Sequence, residues 1–116
     1  MANPKDFDGF YAIYYHGGAG IGLAQIQLFD GTIVGADASG GRWDGAFAVD
    51  APTSLINCEV SIQLPPGGTL ATTGQAPKGN EALNMKFILP FDFATAAFVE
   101  LDLPIGKVNV RFQKLR

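Results

Sequence analysis

Residues 54 to 64, SLINCEVSIQL, alternate strictly between apolar and polar. Ile56, Cys58, Val60, Ile62 and Leu64 fall on one side, and Asn57, Glu59, Ser61 and Gln63 on the other. In an extended chain successive side chains point to opposite faces, so this segment reads as a strand with one buried face. The pattern recurs. Val108, Val110 and Phe112 oppose Lys107, Asn109, Arg111 and Gln113; Val99, Leu101 and Leu103 oppose Glu100 and Asp102; Leu83, Met85, Phe87 and Leu89 share a face. No window carries a helical stripe, and Phe93 to Ala97 reads as one helical turn at most.

Three Asp-Gly pairs precede apolar stretches: Asp8-Gly9, Asp30-Gly31 and Asp44-Gly45. Tight hairpin turns need positive φ, which glycine reaches freely and aspartate tolerates, so each pair reads as a turn. Eight strands follow, over 9–15, 20–29, 32–37, 41–49, 54–64, 82–90, 97–103 and 106–114. Most connections are short, which favours antiparallel neighbours over parallel crossovers. The exception is the Gly- and Pro-rich segment 65–81, in which residues 69–73 read as a further short edge strand. The expected fold is all-β: an eight-stranded antiparallel up-and-down barrel, with a two-sheet sandwich as the competing architecture. Such a barrel has room for packed side chains or one small ligand.

With 116 residues the chain fits one domain, here 1–116 with residues 1–7 as a flexible lead. Apolar residues make up 47% and charged residues 16%, enough buried surface to offset the entropy of ordering. A net charge of −3 argues against nucleic acid and anionic membranes as partners. The single cysteine, Cys58, excludes an internal disulfide framework and sits within an apolar alternation, as a small buried hydrophobe does. The first residues lack the apolar run of a signal peptide and no stretch approaches a membrane span, so a cytoplasmic protein is expected.

Motifs for chemistry are sparse. His16 is the only histidine, and with one distant cysteine it cannot build a typical zinc cluster. The glycines from Gly17 to Gly22 lack the third glycine of a dinucleotide loop, because Leu23 stands there, and they lie between two strands. Asp6 with Asp8, and Asp30 with Asp37, read as turn aspartates rather than paired acids. Lys107, Arg111, Lys114 and Arg116 make a small basic stripe suited to keeping an edge soluble. No nucleophile, base and orienting group assemble from motifs, so no enzyme, cofactor or metal is expected.

The aromatics carry more information. Phe10, Tyr11, Tyr14 and Tyr15 load both faces of the first strand. A barrel buries only one face of a strand in its core, so the other face needs a cover, a loop or a second subunit. Tyr11, Tyr14 and Tyr15, with Trp43 and Phe47, are therefore the ligand or interface candidates.

The order Asp8-Gly9-Phe10-Tyr11, a glycine-rich hairpin ending at Gly22-Leu23, then Asp30-Gly31-Thr32-Ile33 and Gly35-Ala36-Asp37 resembles the GrlR family, negative regulators of a bacterial type III secretion gene cluster. Trp43-Asp44-Gly45 matches an aromatic-x-glycine step of that family. The resemblance covers residues 8–50. It implies a lipocalin-like barrel, a homodimer, an apolar pocket and a regulatory role exerted by sequestering a transcriptional activator. The family's acidic Glu-Asp-Glu-Asp partner loop corresponds here to Val49-Asp50-Ala51-Pro52, where only Asp50 is acidic. Asp50 is thus the partner-loop candidate, and capture of a basic activator by charge is weakened. Two functions follow as expectations: a dimeric regulatory protein that binds another protein, or a carrier or sensor of a small apolar, lipid-like ligand.

Overall fold

The computed structural model describes residues 3–17, 20–63, 83–103 and 106–116. They form one eight-stranded antiparallel sheet: β1 Gly9–Gly17, β2 Gly20–Phe29, β3 Thr32–Asp37, β4 Arg42–Asp50, β5 Leu55–Gln63, β6 Leu83–Pro90, β7 Val99–Leu103 and β8 Gly106–Lys114. The strand order is β6-β5-β4-β3-β2-β1-β8-β7. The β1–β8 ladder, with Ile13 opposite Phe112, joins the two ends of the chain and curls the sheet. The result is a nearly closed barrel, not a sandwich, with a seam where β6 faces β7 without a ladder. The proposed edge strand over 69–73 lies outside the described residues.

The interior is the face that alternation predicts. Ile56, Cys58, Val60 and Ile62 of β5, Val108, Val110 and Phe112 of β8, and Tyr11 and Ile13 of β1 are all buried in one core. Burying such side chains is the main stabilising term, about 1.5–3 kcal/mol for each large one.

Only one Asp-Gly pair makes a hairpin. Asp30 (φ 45°) and Gly31 (φ 87°) both take positive φ, as a two-residue type I′ turn requires, and Phe29 pairs with Thr32 across it. Asp8-Gly9 instead begins β1: the Asp8 carboxylate accepts the Asp30 N–H at 2.7 Å, tying the chain's start to that hairpin. Asp44-Gly45 lies within β4, where Asp44 pairs with both Val34 and Ser61. Gly45 faces inward, and a Cβ there would run into the Glu59 carbonyl oxygen; one at Gly35 would meet the Gln25 carbonyl oxygen. These glycines mark corners where the sheet coils tightly enough for neighbouring backbones to close in.

One end of the barrel is sealed by aromatics. Of the lead expected over 1–7, Pro4–Phe7 forms a 3₁₀ turn with Asn3 as a capping box partner of Asp6. That turn delivers Phe7 against Phe91 and Phe93, at ring separations of 5.3 and 6.2 Å. Phe93 is only 1% exposed and also packs on Tyr11 and, edge-on, on Phe112. It comes from the connection between β6 and β7, where the Thr95 and Ala96 N–H groups both donate to the Asp92 carbonyl and close a turn, short of a helix, at the place where the sequence offers one helical turn. No described helix is long and apolar enough to cross a membrane.

Candidate functional site

Among the described residues the opposite end of the barrel is open. There β3 ends and β4 begins, and the turn between them is built on Asp37. Its Oδ1 accepts the backbone N–H groups of Ser39 (2.9 Å) and Gly41 (2.8 Å). Its Oδ2 accepts the indole Nε1–H of Trp43 at 2.9 Å. Three donors thus hold one carboxylate and one indole in fixed positions at the rim. Trp43 packs against Tyr15 with ring centroids 6.2 Å apart. Tyr15 can lie inward because the residue opposite it is Gly22; a Cβ at Gly22 would strike the phenol ring.

Behind this rim lies an apolar cavity of about 70 Å³. Its walls include Ile13, Phe47, Val60, Met85 and Phe112, while Asp37, Ser39, Tyr15 and Trp43 bring polar groups. A space of this size is much smaller than a lipid tail, so most of the barrel interior is filled by its own side chains. Burial, with Asp37 adding a smaller repulsion, pushes the Tyr15 hydroxyl up to about 12. The Cys58 thiol, also on the cavity wall, is pushed up to about 12 by burial alone. Burial thus favours the thiol over the nucleophilic thiolate. Among the described residues no group of three His, Cys, Asp or Glu is placed to hold a metal ion.

The five aromatics named from the sequence separate. Tyr15, Trp43 and Phe47 line the cavity. Tyr11 belongs to the sealed end, where its hydroxyl donates to the Phe7 carbonyl at 2.7 Å and burial, then Asp8, raises its pKa. Only Tyr14 points outward, with the Arg111 guanidinium 5.8 Å from its ring centre. Asp50 is engaged in its own turn, accepting the Thr53 hydroxyl at 2.8 Å. Asp30 and Asp37 sit at opposite ends of β3 and form no pair. His16 is exposed on the outer face of β1.

A second surface emerges from the topology. The outward positions of β1, β2 and β3 include Phe10, Tyr14, Ile21, Leu23, Phe29 and Val34, all substantially exposed; Ile21 reaches 77% and Phe29 61%. Tyr14 pairs directly with Leu23, and His16 with Ile21. The remaining outward residues of these strands are Ala12, His16, Gln25, Gln27, Thr32 and Ala36, so the face carries one histidine at its edge and no Asp, Glu, Lys or Arg. Elsewhere the outer surface is charged: Arg42, Asp44, Glu59 and Lys86 on β4 to β6, and Glu100, Asp102, Lys107 and Arg111 on β7 and β8. Glu59 and Lys86 approach to 3.3 Å, and Glu100 and Lys107 to 4.0 Å. The mark of this face in the sequence is apolar residues at both parities of β2, Ile21 and Leu23 beside Ala24, Ile26 and Leu28.

Comparison of the chain with protein-family models, with curated proteins and with solved structures finds no match.

Proposed function

We propose that this chain is a non-enzymatic binding protein whose surface for other proteins is the outer face of β1 to β3. The observation that carries the reading is that face itself: six exposed large apolar side chains on three adjacent strands without an Asp, Glu, Lys or Arg. Contiguous apolar surface of this kind marks interaction sites. An uncharged face also meets its own copy without repulsion, as a two-fold interface demands, so the partner it suits first is a second copy of the chain. The resemblance of residues 8–50 to the GrlR family supplies the regulatory role, with protein binding as the means. The engagement of Asp50 by Thr53 favours an apolar contact over an acidic loop as that means.

Sedimentation velocity tests this. The wild-type chain at micromolar concentration is expected to run as a dimer. Leu23→Lys, which places a charge on the middle strand of the face beside Tyr14, is expected to run as a 12.3 kDa monomer with an unchanged circular dichroism spectrum. A monomeric wild type would overturn the proposal.

A second reading is favoured by the cavity: the barrel takes up a small molecule through its open end. The wall is apolar and the rim holds an ordered carboxylate and two aromatic rings, the usual make-up of a small-molecule site.

A further inference from the structure

We propose that the open end of the barrel recognises the ammonium group of a small amine whose apolar body enters the cavity; this rests on the second reading above. Three features converge. The first is charge. Among the described residues Asp37 is the only acidic or basic side chain on the cavity wall, and no cation lies within salt-bridge distance of it. A carboxylate offers about four acceptor positions, and the N–H groups of Ser39, Gly41 and Trp43 occupy three. One position and a whole negative charge remain.

The second feature is the aromatic pair. Trp43 donates to that carboxylate and Tyr15 packs against Trp43, their planes inclined at 44°. Aromatic faces attract cations, and tryptophan does so best. The third is the match of donors and acceptors. An alkylammonium has three N–H donors. Asp37, Tyr15 and Ser39, all residues of the cavity wall, each carry an acceptor oxygen. A carboxylate ligand would instead bring a second negative charge to a rim that holds one. A neutral alcohol would forgo the charge but keep a hydrogen bond. The cavity volume limits the body to a short chain, with longer ligands excluded unless the core repacks.

The test compares pentylamine, pentanol and pentanoate, which share a tail and differ in the head group. Trp43 is the only tryptophan, so its fluorescence and its indole N–H resonance report binding at the rim itself. Pentylamine is expected to bind at least about tenfold more tightly than pentanoate, with pentanol between them. Asp37→Asn, if its circular dichroism and thermal unfolding remain native, is expected to reduce the amine's advantage to less than about threefold while leaving pentanol nearly unchanged. This variant also separates the local carboxylate from the overall charge of −3, which it alters little. If Asp37→Asn does not fold, the salt dependence of the wild type takes its place: the amine's advantage must fall as ionic strength rises. Pentanoate binding as tightly as pentylamine overturns the ammonium assignment while the cavity reading stands. So does an advantage that survives in folded Asp37→Asn, or one insensitive to salt. No binding by any of the three, on a chain whose dimer is intact, overturns the assignment and the cavity reading together.

Discussion

At the scale of single residues, the glycines and the cysteine are the positions where chemistry and geometry are most tightly joined. Gly31 and Gly45 both follow aspartate, yet they fail for different reasons when replaced. Gly31 has positive φ but room for a Cβ, which would meet the Phe47 carbonyl oxygen at 3.4 Å and the Pro4 Cβ at 4.0 Å, so Gly31→Val is strained by its backbone and is expected to lose about 1–2 kcal/mol. Gly45 lies where β4 and β5 close together, so Gly45→Ala must push the Glu59 carbonyl aside and is expected to lose about 1–3 kcal/mol. Urea unfolding of the two variants checks this, and a destabilised Gly31→Val beside a neutral Gly45→Ala would show that the corner is loose. Cys58 gives a pH dependence with a definite sign. Its thiol titrates near 9 when unfolded and is raised to about 12 in the fold. Between those values the folded chain keeps a proton that the unfolded chain has lost. Its contribution is complete below pH 9 and declines as pH rises towards 12, at no more than about 1.4 kcal/mol per pH unit. Tyr15, raised in the same direction, adds to the decline. Cys58→Ala is expected to flatten the alkaline fall in unfolding free energy, and an identical slope in both proteins would assign the fall to other groups.

At the scale of elements, the sealed end makes the clearest prediction. Phe93 lies in a connection rather than a strand, but it touches Phe7, Tyr11 and Phe112 and is among the most buried large side chains. Phe93→Ala is expected to cost about 3–5 kcal/mol, a core loss, against the near-neutral change typical of loops. Thermal unfolding reads it directly, and a melting temperature unchanged by the substitution would mean that the end is open. This contrast shows what the sequence makes legible. Strands with one polar face, such as 55–63 and 106–114, are visible because period two reports burial, and their observed limits fall within a residue of the reading. Asp44-Gly45 misleads because a corner glycine and a turn glycine look alike until the partner strands are known. Tyr15 and Trp43 could be picked out as aromatics, but not their common contact with the Asp37 turn. That contact depends on the register linking β1, β2, β3 and β4, and nothing local in the chain encodes it. The role of Phe93 is hidden for the same reason: the single turn carrying it is placed by aromatics from both chain ends.

At the scale of the whole molecule, the decisive property is that the barrel is nearly but not fully closed. Among the described residues β1 to β5 and β8 each have two hydrogen-bonded neighbours, whereas β6 and β7 have one. Across the seam Phe87, Leu89, Leu101 and Leu103 contribute side chains to the core or its margin, so among the described residues the two edges meet through packing rather than a ladder. A ladder resists local opening on both sides of a strand, and packing without one resists it less. The short β7, five residues against nine in β1 and β8, is the weakest member. The uncharged face of β1 to β3 lies across the barrel from this seam, on strands that are doubly paired. A rigid docking face and a yielding edge are therefore separated within one sheet. Hydrogen exchange should show this as two classes of amide. Those of β1, β2 and β3 are expected to exchange only through global unfolding. Those of β6 and β7 that point into the seam are expected to exchange through openings at least about 2 kcal/mol cheaper. Dimer formation through the β1–β3 face should add protection there while leaving the seam amides as they were. Equal protection on both sides would require a hydrogen-bonded cover on β6 and β7, and the most direct one is pairing between their edges in a fully closed barrel.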